Sequence, residues 1–313
     1  MHQLIEAAAS ELSNRDALTF QEWASGLSVS QFLKREKRLR AHFWTQASMR
    51  TWFLMSSDRS VLSSCETFRL KSEIGGGERG TSYSVASVFT EKKLRGKGYA
   101  TEMMNQLVVE LKRRDPSAQA VILFSDVGPG LYERSGFVAI PAWDRTISVP
   151  HTSESHNWAT GLKRADLLKG IPTVSAFPGE FSVHVSPGQI DRRVERQNIY
   201  AEELGDAKPE YCGAQTPSGL AYWVANRKAL KVTYFKASAP RDAEGLILMM
   251  CQHASRAGLD KIVIWETPEF TYWDRLTHTV ARSPRPDSLP MICPLATQVK
   301  PEFWRSVPNA LWV

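Results

Sequence analysis

Residues 94–104 read LRGKGYATEMM, a stretch in which two glycines stand immediately before a helical pattern. From about Ala100 to Arg114, apolar residues recur at i, i+3 and i+4 spacing, which predicts an amphipathic helix. The start of a helix leaves backbone N–H groups unpaired, and these donors together with the helix dipole favour a bound phosphate group. Glycine at positions 96 and 98 would let such a ligand approach the backbone closely. The stretch therefore indicates either a phosphate-binding loop or a plain tight turn with solvated basic side chains.

The segments before this loop predict helices and then an antiparallel hairpin. Residues 1–55 are predicted to be mostly helical, with no short strand ahead of the first helix. TWFLMSS (51–57) predicts a strand, and two further strands, SVLSSCETFRL (60–70) and YSVASVFT (83–90), flank a glycine-rich turn.

The segments after the loop helix predict two further strands with a short helix between them. AVILFSD (120–126) is a short apolar run typical of a buried strand. GPGLYERSGFVAI (128–140) predicts a short helix, a glycine stop and a final strand. The whole order is typical of an α/β (α+β) fold.

The second half of the chain repeats part of this order. Periodicity is lost near 141–160, and then a hairpin (219–238), an amphipathic helix (241–258) and a strand (261–268) follow without a glycine-lysine-glycine loop. We therefore expect two domains, 1–145 with the loop and 146–313 as a related domain without it, which could close over a substrate cleft. The proline-rich tail from residue 282 is predicted to be irregular.

Composition excludes several classes of protein. The 313 residues are 42% hydrophobic and carry a formal net charge of +6, which suits a core of ordinary size and an anionic ligand. The sequence has no long basic run of the kind that indicates nucleic-acid binding, and no apolar run reaches the ~18 residues of a membrane span. The four cysteines are far apart and the seven histidines scattered, so we expect reduced thiols, no metal site and, in the absence of a signal-peptide pattern at the first residues, a cytoplasmic protein.

Two nucleotide-binding classes fit the loop poorly. The Walker A pattern G-x-x-x-x-G-K-[ST] is absent. A dinucleotide fingerprint needs a third glycine, and Thr101 occupies its place.

A better match is to a coenzyme A loop. Residues 95–100, RGKGYA, fit R-x-x-G-x-[GA], and the stretch resembles the coenzyme A loop of the GCN5-related N-acetyltransferase superfamily. LYERSGF (131–137) resembles the second signature of that superfamily, a tyrosine followed by a glycine–aromatic pair. Two positions depart from the common pattern, because Ser125 stands where many members have asparagine and Gly128 where alanine is usual.

A narrower resemblance is to the fungal lysine N6-acetyltransferase family, on SCETFRL, SVFTEKKLRGKGYATEMM and LFSDVGPGLYERSGF. It implies a mixed, mostly antiparallel sheet flanked by helices, followed by a second, catalytically silent domain of the same type. It also implies acetyl-CoA as acyl donor, no metal, and a small primary amine as acceptor, with the N6-amine of free L-lysine first. Acyl transfer to another acceptor, such as a specialised metabolite or a protein lysine, and non-catalytic acyl-CoA binding are the alternatives.

The resemblance also implies roles for single residues. Tyr132 would protonate the departing thiolate, because a phenol of pKa ~10 keeps its proton at neutral pH; otherwise it is a core aromatic. Glu66 is the first candidate for the general base, or else a solvated or ion-paired strand carboxylate. Asp126 is the second, or else a cap for the next helix.

The coenzyme would contact two consecutive segments. Main-chain groups of the strand before the loop would pair with the pantetheine arm, and the loop with the first helical turn would bind the pyrophosphate. By position these residues are Val88, Phe89, Thr90, Arg95, Gly96, Lys97, Gly98, Tyr99, Ala100 and Thr101.

Overall fold

The structure, a computed structural model, describes residues 2–150, 158–169, 171, 176–226 and 229–313. Its strands are β1 (Gln3–Glu6), β2 (Met49–Met55), β3 (Val61–Ile74), β4 (Glu78–Phe89), β5 (Ala118–Ser125), β6 (Val138–Ala139), β7 (Trp143–Ser148), β8 (Thr160–Leu162), β9 (Phe181–Val183), β10 (Gly213–Thr216), β11 (Gly219–Asn226), β12 (Ala229–Ala237), β13 (Lys261–Trp265), β14 (Val280–Pro284) and β15 (Leu289–Pro294). Its α-helices are α1 (Leu12–Trp23), α2 (Val29–Ala41), α3 (Phe43–Ser48), α4 (Tyr99–Arg114), α5 (Gly130–Glu133), α6 (Pro187–Leu204) and α7 (Pro240–Arg256).

The first sheet is mostly antiparallel and has the order β1-β2-β3-β4-β5-β15-β6, with β9 paired to the far end of β3. The predicted hairpin is β3 and β4, and α4 crosses from β4 to β5, which run parallel. The predicted helix, buried strand and short helix after the loop are confirmed as α4, β5 and α5.

Each face of the first sheet buries its own core. The apolar side of α4 packs on one face, with Met103, Met104 and Leu107 fully buried against strand residues such as Val121 and Leu123. The opposite face is covered by α3 and by the last residues of the chain, including Trp304 and Leu311. The sheet therefore separates the α4 side of the molecule from the side on which α2, α3 and α6 lie against one another.

The second sheet has the order β14-β7-β13-β12-β11-β10-β8. It repeats the arrangement predicted from the sequence, since β11 and β12 form a hairpin, α7 crosses over, and β13 returns parallel to β12. The start of α7 differs from the start of α4. Pro240 opens it, and in its first turn the buried Asp242 accepts a hydrogen bond from Ser218. The negative charge of this carboxylate in the first turn opposes the binding of another anion there.

Two secondary-structure predictions were wrong. A strand does precede the first helix: β1 pairs antiparallel with β2, and Leu4 donates its backbone N–H to Gln106 of α4 at 2.9 Å. With only Leu4 and Ile5 apolar, it was too short to show alternation. The tail is not irregular from 282 either, because β14 and β15 lie there. In β15 the buried run Met291–Cys293 stands between prolines, which masked it.

The division at residue 145 does not coincide with the division between the sheets. β9 and β15 come from beyond residue 145 and belong to the first sheet. The assignment of two domains at that boundary stays a prediction. Among the described residues, no helix combines the length and the apolar character that crossing a membrane requires.

Candidate active site

The site is a cleft where two parallel strands separate. The ladder between β4 and β5 ends at the pair Val85 and Leu123. Just beyond it Ser87 has φ of 52°, a rare conformation for a residue other than glycine, and the pairing of β4 with β3 shifts register beside it. The strands splay after this irregularity and leave a cleft of about 630 Å³. The cleft lies between two strands of the sheet, and elements on both faces of the sheet line it.

The glycine loop lies at the α4 end of this cleft. Gly96 and Gly98 have φ of 79° and 83°, and a Cβ at either would meet nothing within 4 Å. Gly98 is the N-cap of α4, and no side chain caps the helix. The first backbone N–H bonded back into the helix is that of Glu102, to the Gly98 carbonyl. Within the described chain, the N–H groups of the first turn thus remain without a protein acceptor beside open space, which suits an anion.

The two cations of the loop have different surroundings. Arg95 donates Nε to the Thr90 carbonyl at 2.9 Å and pairs with Glu22 of α1 at 2.6 Å, so its guanidinium fixes the loop against α1. Lys97 is exposed, forms no ion pair with any described residue, and is the one predicted coenzyme-binding residue that does not line the cleft. It is placed to attract an anion rather than to brace the loop.

Tyr132 lies in α5 on the cleft wall. Its ring is buried and packs edge-on against Phe137 with centroids 6.1 Å apart. Its hydroxyl has no hydrogen-bond partner among the described residues, and burial raises the pKa of Tyr132 to about 12. The phenol is therefore protonated at neutral pH, with its donor available to the cleft.

Glu66 lies on β3 and is buried in a polar cluster at the same irregularity. Arg15 of α1 contacts Glu66 at 2.8 Å, Ser64 at 3.1 Å and the Ser87 carbonyl at 3.0 Å, so one guanidinium ties α1 to both strands of the hairpin. Burial raises the pKa of Glu66, but the Arg15 charge and a hydrogen bond with Ser87 outweigh burial and hold it below its ordinary value. Glu66 is thus an ionised carboxylate at the cleft wall, with the contacts of the ion-paired alternative.

Asp126, at the end of β5, is exposed at the cleft. Its carboxylate accepts hydrogen bonds from the backbone and hydroxyl of Ser288, at 2.9 and 3.0 Å. The structure records no cap by Asp126 on α5, whose start has no side-chain hydrogen bond. The residue instead fixes the loop before β15 against β5.

The other side of the cleft comes from elements that the sequence did not single out. Helices α1 and α2 contribute Trp23, Arg35 and Glu36, and α6 contributes Arg192 and Arg196. Arginine residues on an amphipathic helix ordinarily indicate a face exposed to solvent, so the sequence pattern does not show that these arginines line a cavity.

Helix α6 is held rigidly beside the cleft. Asp191 accepts from His42 at 2.8 Å and from Arg164 at 2.5 Å, and Gly188 lies against Trp44 so closely that a Cβ would come within 2.8 Å of its side chain. Burial raises the pKa of Asp191, but the hydrogen bonds from His42 and Arg164 lower it more, to about 2.

The cleft thus brings together nearly all of the predicted site residues. Those that line it are Tyr132, Glu66, Asp126, Val88, Phe89, Thr90, Arg95, Gly96, Gly98, Tyr99, Ala100 and Thr101. Their individual roles stay predictions. No group of three His, Cys, Asp or Glu residues within the described ranges has the arrangement of a metal site. The four cysteines are free buried thiols.

Comparison with known proteins gives one sequence relative and many structural ones. No family model matches the chain. A lysine acetyltransferase of Yarrowia lipolytica is 23% identical over 321 residues, covering 80% of this chain and 81% of the relative.

Three solved structures illustrate the fold. A GCN5-related N-acetyltransferase from Kribbella flavida has a TM-score of 0.60 at 13% identity, with 93% of this chain and 70% of that chain covered. One from Anabaena variabilis has 0.62 at 12% identity, covering 93% and 72%. Eis1 from Mycobacterium abscessus has 0.56 at 13% identity, covering 93% and 73%. The mixed, mostly antiparallel fold expected from the sequence is confirmed.

Proposed function

Because the chain has the fold of the GCN5-related N-acetyltransferase superfamily, and the resemblance read from its loop is borne out at that level, we propose that it transfers an acetyl group from acetyl-CoA to a primary amine. One observation carries the proposal. The uncapped start of α4, behind two glycines of positive φ, faces a cleft made by the separation of β4 and β5. A phosphate-bearing acyl donor fits both features at once.

The coenzyme would be held along β4 and the loop. The N–H groups of the first turn of α4 would bind the pyrophosphate, with Lys97 adding charge. Beyond Val85 the β5 side of β4 is no longer part of the ladder, so backbone groups there can pair with the amides of a pantetheine arm. Val88 is the better placed of the two strand residues, because Phe89 is paired with Ser64 of β3 and its carbonyl accepts from Ser63. Acetyl-CoA supplies the thioester carbonyl. Holding it at the splay, where the cleft crosses the sheet, provides proximity to an amine that enters from the other side.

Tyr132 would act as the acid. Its hydroxyl is protonated at neutral pH and has no competing protein acceptor among the described residues. A thiolate leaving group near the phenol could take that proton, which prevents the reverse attack.

The acceptor ammonium, of pKa ~10 for a lysine side chain, must lose a proton before it attacks. Glu66 and Asp126 remain the two candidates that help. Glu66 is the better placed to hold an ammonium because it is buried, ionised and on the cleft wall. Its lowered pKa makes it a weak base, which favours proton loss through water rather than directly to the carboxylate.

The acceptor we put first is the N6-amine of free L-lysine. Support comes from the resemblance of the loop and tyrosine segments to fungal lysine N6-acetyltransferases and from the relative named a lysine acetyltransferase. Acyl transfer to another acceptor remains the second candidate, and acyl-CoA binding without catalysis the third.

A panel of amines with acetyl-CoA tests the proposal. Thiol release and mass spectrometry of the products should show acetylated amine for at least one member, with lysine fastest. Turnover of another amine but not of lysine would show that lysine is not the acceptor. Binding of acetyl-CoA with no turnover on any amine or on peptide lysines would favour the non-catalytic alternative.

A further inference from the structure

We infer that Arg192 and Arg196 of α6 bind a carboxylate group of the acceptor, so that the acceptor is a free amino acid or another amine with a carboxylate rather than a diamine or a protein lysine. The inference rests on the proposed acetyl transfer. It concerns the side of the cleft opposite to the glycine loop.

Arg192 is buried without an ion pair to a described residue. The residue is only 9% exposed, and the Cζ atom of its guanidinium lies 4.9 Å from the centre of the Phe68 ring. Nε donates to the Thr45 hydroxyl at 3.1 Å, while no carboxylate of the described residues lies within ion-pair distance. A buried cation with no partner is costly, and native proteins rarely keep one without use. The contacts hold one edge of the guanidinium and leave the paired terminal nitrogens for the cleft, which Arg192 lines.

Arg196 adds a second cation on the same side. It follows Arg192 by four residues, so the two share one face of α6. Its guanidinium lies 5.6 Å from the ring centre of Trp312, and it too forms no ion pair with a described residue. Burial lowers the pKa of Arg192 to about 10, Glu66 opposes this and Arg196 adds to it, so the Arg192 guanidinium stays charged at neutral pH. Two like charges in one cleft wall form a site for an anion.

The acidic residues of the cleft do not supply that anion. Glu66 faces Arg15 at 2.8 Å, Glu36 faces Arg35 at 2.6 Å, and Glu22 faces Arg95. Those three carboxylates each have an arginine already, and Asp126, which also lines the cleft, accepts hydrogen bonds from Ser288 instead. Among the described residues, none of the four forms an ion pair with Arg192 or Arg196.

The position of the pair separates it from the coenzyme. The α4 loop and α5 line the cleft from one side, whereas α6 lies against α2 and α3 on the other. An acceptor with its carboxylate on α6 would extend past apolar lining such as Leu39, Phe124 and Trp312 toward Glu66. Its amine then reaches the splay of β4 and β5, where the thioester carbonyl would be.

Matched substrate pairs test the inference. L-lysine and cadaverine differ only in the carboxylate, and so do L-ornithine and putrescine. Initial rates with acetyl-CoA should give kcat/KM at least about tenfold higher for the carboxylate member, the loss expected when one charge-assisted contact is missing.

Variants identify the residues. Arg196→Gln should lower kcat/KM for the preferred amino acid by about 10- to 100-fold and change that for the matching diamine by less than about threefold. Arg192→Lys keeps the positive charge but loses the planar set of N–H donors of the guanidinium. It should also lower kcat/KM for the amino acid more than for the diamine, by a smaller factor than Arg196→Gln. Arg256→Gln, an exposed arginine at the end of α7 and remote from the cleft, is the control.

The outcomes are distinct. Equal rates on both members of each pair, or equal losses on both in Arg196→Gln, would overturn the carboxylate site while leaving acetyl transfer intact. Turnover of peptide lysines at the rate of free lysine would do the same. If neither member of any pair, nor a peptide lysine, is acetylated by protein that binds acetyl-CoA, the proposed function fails and this inference with it.

Discussion

Replacing Tyr132 by phenylalanine removes one hydroxyl and leaves the ring. The packing against Phe137 is retained, and no hydrogen bond to a described residue is lost. We therefore expect the free energy of unfolding to change by less than about 0.5 kcal/mol. For a chain of this size that corresponds to a shift in Tm of at most about 2 °C.

The effect on catalysis should be much larger. A positioned general acid contributes roughly 10²–10⁴ in rate. At about 1.4 kcal/mol for each factor of ten, this is about 3–5 kcal/mol of barrier, well above the change in stability. Since burial keeps the pKa of Tyr132 near 12, the phenol is fully protonated in an ordinary assay buffer and the whole contribution is at stake.

The assay is thiol release with the best amine, at saturating acetyl-CoA, together with calorimetry of acetyl-CoA binding. Tyr132→Phe should lower kcat about 100-fold or more and leave the Kd for acetyl-CoA within about twofold. Tyr234→Phe is the matched control, because Tyr234 is also buried, its hydroxyl also lacks a described partner and its pKa is also raised to about 12, but it lies on β12 away from the cleft. A full-rate Tyr132→Phe enzyme, or an equal loss in the control, would refute the acid role.

Three further predictions follow from the same geometry. Gly98→Val should weaken acetyl-CoA binding at least about tenfold in calorimetry, whereas Gly258→Val, with the same kind of positive φ and open space, should cost similar stability and leave binding unchanged. Glu66→Gln should lower kcat/KM for the amine by about 100-fold with coenzyme affinity retained. The double variant Arg15→Met/Glu66→Gln is measured beside it, because it also removes the buried Arg15 charge that loses its partner. An unchanged kcat/KM would exclude a role for Glu66 in deprotonating the amine. Because the pKa of Asp191 is lowered to about 2, the stability that its ionised form contributes is complete above about pH 4 and is lost as the pH falls toward 2. Asp191→Asn should lower the free energy of unfolding by about 2 kcal/mol in urea at neutral pH, and the stability of this variant should fall less steeply with acid than that of the unmodified protein. An equal fall in the two proteins would contradict this.

The loop side of the cleft was predictable from sequence because its signals are local. A glycine loop, the helix after it and the tyrosine segment lie within 94–137, and each has a spacing that backbone geometry dictates. The repeat in the second half was visible for the same reason, since hairpin, helix and parallel strand follow one another without interruption.

The opposite side of the cleft was not predictable because it is assembled from distant segments. Arg15, Arg35 and Arg192 come from three helices, and nothing in their local patterns distinguishes a buried guanidinium from a solvated one. Glu66 could be named from its strand, but its pairing with Arg15, 51 residues away, could not. The placement of β15 between β5 and β6 is likewise a long-range pairing, which local periodicity does not encode.

We propose above all that the backbone at the start of α4 binds the pyrophosphate of an acyl carrier. Calorimetric titration of the purified protein with coenzyme A and, separately, with pantetheine, which lacks every phosphate, tests it most directly. We expect coenzyme A to bind at least about 100-fold more tightly than pantetheine, with the difference reduced in Gly98→Val. No heat with coenzyme A, or equal affinity for both compounds, would contradict the claim.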